Sequence, residues 1–179
     1  ELGIRDRHNQ RTKLQRQLQG RRGKPPGLLS GADMFLVMHA SFIADAAGWN
    51  QKTEALISEL EAAAKTRAER SAEAAQGRDP APPRILLTGS PIFFPEYGIL
   101  HLLEEAGAEI VADEMCSGSE RLHHPTVIDE SSVSGMVRAA ADRAYLPCTC
   151  PCFVSADDRI DRLYELAERS RAQGVVHHT

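Results

Sequence analysis

Four cysteines are the side chains best suited to chemistry in this chain of 179 residues. Three of them, Cys148, Cys150 and Cys152, occupy every second position of one short stretch. Disulfides between such close neighbours would be strained, and the sequence shows no secretory signal pattern, so reduced thiols in the cytoplasm are expected. Clustered reduced thiols indicate a metal site.

The spacing of these three thiols bears on which metal they would hold. Pro147 and Pro151 favour an extended backbone, in which alternate side chains lie on one side about 6.6 Å apart. The thiolates around one tetrahedral zinc ion are only about 3.8 Å apart. The spacing therefore favours separate irons of an iron–sulfur cluster, whose usual ligands are thiolates. Buried structural thiols and a zinc site remain alternatives, zinc being the weaker.

Two further candidates, Ser90 and Cys116, each follow a predicted strand, at residues 85–87 and 109–113. In open α/β sheets, ligands bind outside the carboxyl ends of the strands. Cys150 is expected on a loop before a third strand that starts near Val175. We therefore expect Ser90, Cys116 and Cys150 to face one crevice. The alternatives are an inert buried thiol at position 116 and a simple turn at Ser90.

The elements that must position these residues divide the chain into three parts. Residues 1–76 form a helical connecting segment, residues 77–83 a proline-rich linker, and residues 84–179 the first part of a Rossmann-like α/β domain. In the helical segment, Ser30 is predicted to cap a helix at residues 32–46 that is apolar on most sides and therefore buried, and the next helix is expected to start near Asn50.

After residue 83 the order strand, helix, strand, helix, helix, strand predicts a parallel α/β sheet. Only three strands can be counted, fewer than a sheet covered by helices on both faces usually has. The sheet is therefore expected to be incomplete, and the chain, which starts at Glu1 without an initiator Met, to be part of a longer polypeptide.

Charge and composition exclude several function classes. Apolar residues make up 42% of the chain, and no run of eighteen apolar residues exists, so no membrane span is expected. The total charge is −4, yet residues 1–24 carry eight basic and two acidic side chains. Such a basic arm can meet nucleic acid, but aromatic residues are few and no nucleic-acid motif accompanies it. A solvated helix face is the simpler interpretation.

Six short stretches, in this order, resemble the family of 2-hydroxyacyl-CoA dehydratases and benzoyl-CoA reductases. They are Arg84–Pro91, Leu102–Ala108, Asp113–Gly118, Cys150–Phe153, Arg159–Leu163 and Gly174–Thr179. The similarity runs from about residue 83 to the last residue, and the helical part before it resembles, more weakly, the family's connection between two domains. The chain most resembles the dehydratase D-component.

This resemblance implies two Rossmann-like domains with a [4Fe–4S] cluster between them, an acyl-CoA substrate, a related subunit as dimer partner, and an ATP-hydrolysing activator protein that delivers an electron. A double-cubane cluster is the alternative cofactor. The implied reaction is dehydration of a 2-hydroxyacyl-CoA through a ketyl radical. A reductase of the benzoyl-CoA or double-cubane type is one alternative, and a non-enzymatic metal-binding α/β module is another.

The resemblance also bears on individual residues. Cys116, Cys150 and Cys152 match family positions, as cluster ligands or residues near the cluster, whereas Cys148 has no clear counterpart. Many relatives have cysteine where this chain has Ser90. The key cluster ligands of the family are expected in the first domain and after the last strand, so the resemblance assigns no catalytic residue in this chain.

Overall fold

The structure is a computed structural model that describes residues 3–24, 27–73, 81–119, 127, 130, 132–145 and 157–179. The helices in these ranges are α1 (Ile4–Gln19), α2 (Gly31–Ile43), α3 (Ala46–Glu73), α4 (Gly98–Glu105), α5 (Val133–Tyr145) and α6 (Asp157–Ser170). The strands are β1 (Arg84–Gly89), β2 (Glu109–Glu114) and β3 (Gly174–His178). None of the described helices is both long and apolar enough to cross a bilayer.

Local capping sets the helix boundaries in the first part of the chain. Ser30 accepts a hydrogen bond of 3.0 Å from the amide of Asp33, which confirms it as the cap of α2. The predicted end of this helix was wrong, because Ala44 is extended and stops it at Ile43. The predicted start of the next helix near Asn50 was also late. Asp45 accepts a hydrogen bond of 2.8 Å from the amide of Gly48, and α3 begins at Ala46.

Helix α2 packs on two sides rather than all round. Met34 and Met38 join α1 and α3 in one apolar cluster, while Phe35 belongs to a second cluster with the sheet and α4. Leu36 is 51% exposed and Ile43 91% exposed. The expectation that its apolar surface is buried on most sides is therefore only partly right, and an apolar surface of α2 faces outward.

The sheet is parallel, with strand order β2-β1-β3. Leu87 on the central strand is fully buried and packs with Leu100 of α4 and Ile110 of β2. Thr88, the next residue, points to the opposite face and contacts α6. Helices therefore cover both faces of the sheet, which confirms the predicted α/β fold with an incomplete Rossmann-like sheet.

Candidate functional site at the carboxyl edge of the sheet

The strand order creates a topological switch point between β1 and β3. The chain leaves β1 through α4 toward β2 on one side, and it returns through α6 to β3 on the other side. Connections that leave in opposite directions open a crevice at the carboxyl ends of the strands, where ligands of this fold class bind. The candidate site is this carboxyl edge of the sheet, and the loops described below are those that follow β1 and β2.

The loop after β1 is joined to β3 by backbone contacts. Gly89 has a φ of 112°, a left-handed conformation that favours glycine. The amide of Ser90 donates to the carbonyl oxygen of His178 at 2.7 Å, and Nδ1 of His178 lies 3.3 Å from the carbonyl oxygen of Ser90. Because the Ser90 amide already has this partner, the turn does not present it to a phosphate in the way of a glycine-rich nucleotide loop.

The loop after β2 is a tight turn, Met115–Ser119, called the Cys116 turn below. The amide of Gly118 donates to the carbonyl oxygen of Met115 at 2.9 Å and closes the turn around Cys116. Met115 and Ser117 are buried, whereas Cys116 is half-buried. A Cβ atom at Gly118 would stand 1.9 Å from Oδ1 of Asp113, so only glycine fits there. The turn thus presents its thiol from an otherwise buried backbone.

A buried histidine links the Cys116 turn to α2 and to the start of α4. Nε2 of His39 lies 3.1 Å from the carbonyl oxygen of Ser117, and Nδ1 contacts the hydroxyl of Tyr97. A carbonyl oxygen only accepts, so Nε2 carries the proton and Tyr97 donates to Nδ1 of the neutral ring. Burial lowers the pKa of His39, against the opposing effects of Ser117 and Asp113, and burial raises the pKa of Tyr97.

The loops after β1 and β2 also contact each other directly. The amide of Ile92 donates to the hydroxyl oxygen of Ser117 at 3.1 Å. Just before the Cys116 turn, the consecutive acids Asp113 and Glu114 are each paired with an arginine, Arg22 and Arg159 respectively. The carboxyl end of β2 therefore carries a buried ion pair on each face of the sheet.

A cleft of about 870 Å³ runs beside β2 between α1 and α6. Its described lining contains six basic and three acidic side chains, and several of its arginines already face carboxylates. Examples are the Arg84–Glu109 pair at 2.9 Å and the Arg162–Glu165 pair at 3.1 Å. Since Arg22, Arg84 and Arg162 are already ion-paired, the cleft is not a simple anion site. The Cys116 turn reaches it only through Ser119.

The structure places Ser90 and Cys116 on neighbouring loops at the carboxyl edge, where the sequence predicted them. Cys148, Cys150 and Cys152 lie outside the described residues, so the crevice shared by the thiols stays a prediction. Among the described residues, no group of three or more His, Cys, Asp or Glu side chains is arranged to hold a metal ion. The ligand roles of Ser90 and the cysteines therefore stay predictions as well.

Sequence reasoning missed His39, Arg22 and Arg159. A histidine inside an otherwise apolar helix was the available signal for His39, because such a polar group needs buried partners. Two acids in succession at the end of a buried strand signal basic partners, since buried carboxylates are rarely left unpaired. No local pattern indicates which arginines supply those partners.

Comparison with known proteins identifies the family to which this chain belongs. The family model of the 2-hydroxyglutaryl-CoA dehydratase D-component matches residues 4–179, so the chain belongs to that family. Among curated proteins, the chain is 33% identical over 152 residues to the putative dehydratase subunit YjiM of Escherichia coli strain K12. That match covers 84% of this chain but 36% of YjiM. The resemblance inferred from the sequence is confirmed.

Proposed function

We propose that this chain is part of a 2-hydroxyacyl-CoA dehydratase, which eliminates water from a 2-hydroxyacyl thioester after one-electron reduction of the substrate. The observation that carries this proposal is the family match over residues 4–179. The relative YjiM, named as a putative dehydratase subunit, supports the same reaction class. The sequence resemblance implies the radical route. A thioester ketyl forms only with a strong reductant, so this route requires a low-potential electron donor.

We further propose that Cys116 contacts a [4Fe–4S] cluster, together with Cys150 and Cys152, while Cys148 has a lesser role. The support is the position of Cys116, a half-buried thiol on a closed turn at the carboxyl edge of the sheet, one strand away from the switch point. Such a thiol suits one ligand position, and a cubane cluster usually takes four thiolates. The remaining ligands of the cluster must come from residues other than Cys116. No reaction step is assigned to Cys116. When bound, the cluster would supply a single electron to the thioester.

The proposal includes an acyl-CoA substrate, a related subunit and an ATP-dependent activator protein, in the cytoplasm. The chain spans 36% of the relative it matches, which supports the view that further polypeptide completes the enzyme. Phe93 and Phe94, which are 55% and 69% exposed, offer apolar surface beside His39 and Tyr97. Exposed apolar side chains grouped beside a site are typical of contacts with another protein surface.

The first experiment measures metal content. The intact subunit that contains this chain is reconstituted anaerobically with ferrous iron and sulfide, and iron, acid-labile sulfide and zinc are determined. We expect iron and sulfide in roughly equal amounts, about four of each per cluster. Cys116→Ser should reduce both, and the matched control Cys148→Ser should reduce them less. Zinc bound without sulfide would replace the proposal with a metal-binding module, and iron near zero in the intact subunit would refute cluster binding.

The second experiment measures turnover in the assembled enzyme with its partner subunit. Formation of an enoyl-CoA from a 2-hydroxyacyl-CoA should require a low-potential donor or the ATP-dependent activator. Turnover in air without any reductant would refute the radical route. Dearomatised product from benzoyl-CoA, with no enoyl-CoA from hydroxyacyl substrates, would assign the chain to the reductase branch of the resemblance instead.

A further inference from the structure

The end of β2 carries two adjacent acids that a purely structural strand does not need. The side chains of Asp113 and Glu114 are each only 1% exposed. Successive side chains of a strand point to opposite faces of the sheet, so the two carboxylates face different layers. Each one is met there by an arginine from a different part of the chain.

On the side of α2, Asp113 joins three segments. Nη1 of Arg22, whose side chain is 0% exposed, pairs with Oδ2 of Asp113, and Nε of Arg22 donates to the carbonyl oxygen of Ile110 at 2.8 Å. The amide of Ser119 donates to Oδ1 of Asp113 at 2.7 Å, and the Ser119 hydroxyl donates to the Asp113 carbonyl oxygen. One carboxylate thus ties the segment after α1 to Ser119, the last residue of the Cys116 turn.

On the side of α6, Glu114 of β2 contacts two other elements, α6 and β1. Nε and Nη2 of Arg159 each lie 3.0 Å from a different carboxylate oxygen of Glu114, the bidentate geometry of a strong ion pair. The hydroxyl of Thr88 donates to Oε2 of Glu114 at 3.0 Å and accepts from Nη2 of Arg159 at 3.3 Å. The first turn of α6 is thereby fixed to the carboxyl ends of β1 and β2.

We infer that these two ion pairs, Arg22–Asp113 and Arg159–Glu114, form a charge clamp whose four members are positioning residues for the Cys116 turn. Replacing a buried ion pair by apolar side chains of similar volume is often neutral or stabilising, so stability alone does not account for two such pairs in succession. Directional contacts fix geometry, and both pairs end within three residues of Cys116, at Asp113 and Glu114. This positioning role rests on the proposed function, because it concerns the turn that carries one proposed cluster-contacting thiol, Cys116.

The test measures how fast iodoacetamide alkylates Cys116 in the full 179-residue chain, in reducing buffer without metal, by mass spectrometry of the peptides. Glu114→Gln and Arg159→Gln should raise the rate constant at Cys116 at least tenfold, because a loosened turn exposes its half-buried thiol. Arg159→Lys keeps the charge but loses the bidentate contact, so it should give an intermediate rate.

Glu165→Gln is the matched control. It removes the partner of Arg162 on the same helix, but Glu165 is 63% exposed, so the rate at Cys116 should stay within twofold of the wild-type value. Fluorescence of the sole tryptophan, Trp49, which is buried in the cluster of α1, α2 and α3, reports whether each variant is folded. If Arg159→Gln does not fold, Arg159→Lys decides the test.

Two results would overturn the clamp. One is a Cys116 rate within twofold of wild type in folded Glu114→Gln and Arg159→Lys. The other is an equal acceleration at Cys116 and in the control Glu165→Gln. The measurement needs neither cluster nor substrate, so it can fail while the proposed dehydratase function stands, and it can succeed while that function fails.

Discussion

Replacing His39 with glutamine is expected to remove part of the pH dependence of the protein's stability. His39 is 8% exposed, and burial lowers its pKa, although the carbonyl oxygen of Ser117 and the charge of Asp113 act in the opposite direction. The folded protein therefore keeps His39 neutral at a pH at which the unfolded chain, with a histidine pKa of about 6.5, already binds a proton.

The sign and size of the effect follow from proton linkage. Below about pH 6.5 the unfolded state binds more protons than the folded state, so the free energy of unfolding falls as the pH falls. The contribution of His39 is fully present above about pH 6.5 and is lost below it, at no more than about 1.4 kcal/mol per pH unit. From about pH 7.5 to about pH 5.5 the loss is therefore at most about 1.4 kcal/mol.

Urea unfolding followed by Trp49 fluorescence measures this loss at the two pH values. The wild-type chain should lose more stability on acidification than His39→Gln does, and the difference isolates His39 because the other histidines are unchanged. His101→Gln, at an exposed position of α4, is the matched control for the substitution itself. Equal pH dependence in wild type and His39→Gln would refute the reasoning.

Two further substitutions test the packing around the site. Gly89→Ala would place a methyl group 2.0 Å from the carbonyl oxygen of His178 at a φ of 112°, and we expect a loss of more than about 3 kcal/mol in urea unfolding. A loss below about 1 kcal/mol would show that the turn relaxes easily. Leu87→Ala, at a fully buried position, should cost about 2–5 kcal/mol, whereas Leu102→Ala, at a position 62% exposed, should cost under about 1 kcal/mol.

Local signals were sufficient to predict much of the fold. The apolar strands before Ser90 and Cys116 and the Ser30 cap are short-range features, and each is present in the structure. The boundary between α2 and α3 was misplaced because both sides of Asp45 favour helix. The side chain of Asp45 accepts from the amide of Gly48 and so begins α3.

The candidate site was less accessible to sequence reasoning. Cys116 and Ser90 were placed correctly because they follow strands, and the parallel fold brings strand ends together. The partners of Asp113 come from long-range folding instead, since Arg22 lies 91 positions away. Which of the 21 basic residues fills such a position depends on the packing of whole elements, and no local pattern encodes it.

The contacts of Arg22 also determine when a nascent chain can finish folding. Its partners on β2 are Ile110 and Asp113, 88 and 91 positions further along. Helices α1 and α2 can begin to pack while the ribosome is still translating, but the guanidinium remains hydrated until residue 113 has left the exit tunnel. Contacts of such high sequence separation close late and slow folding. The segment after α1 therefore stays open to proteases and chaperones until β2 is in place.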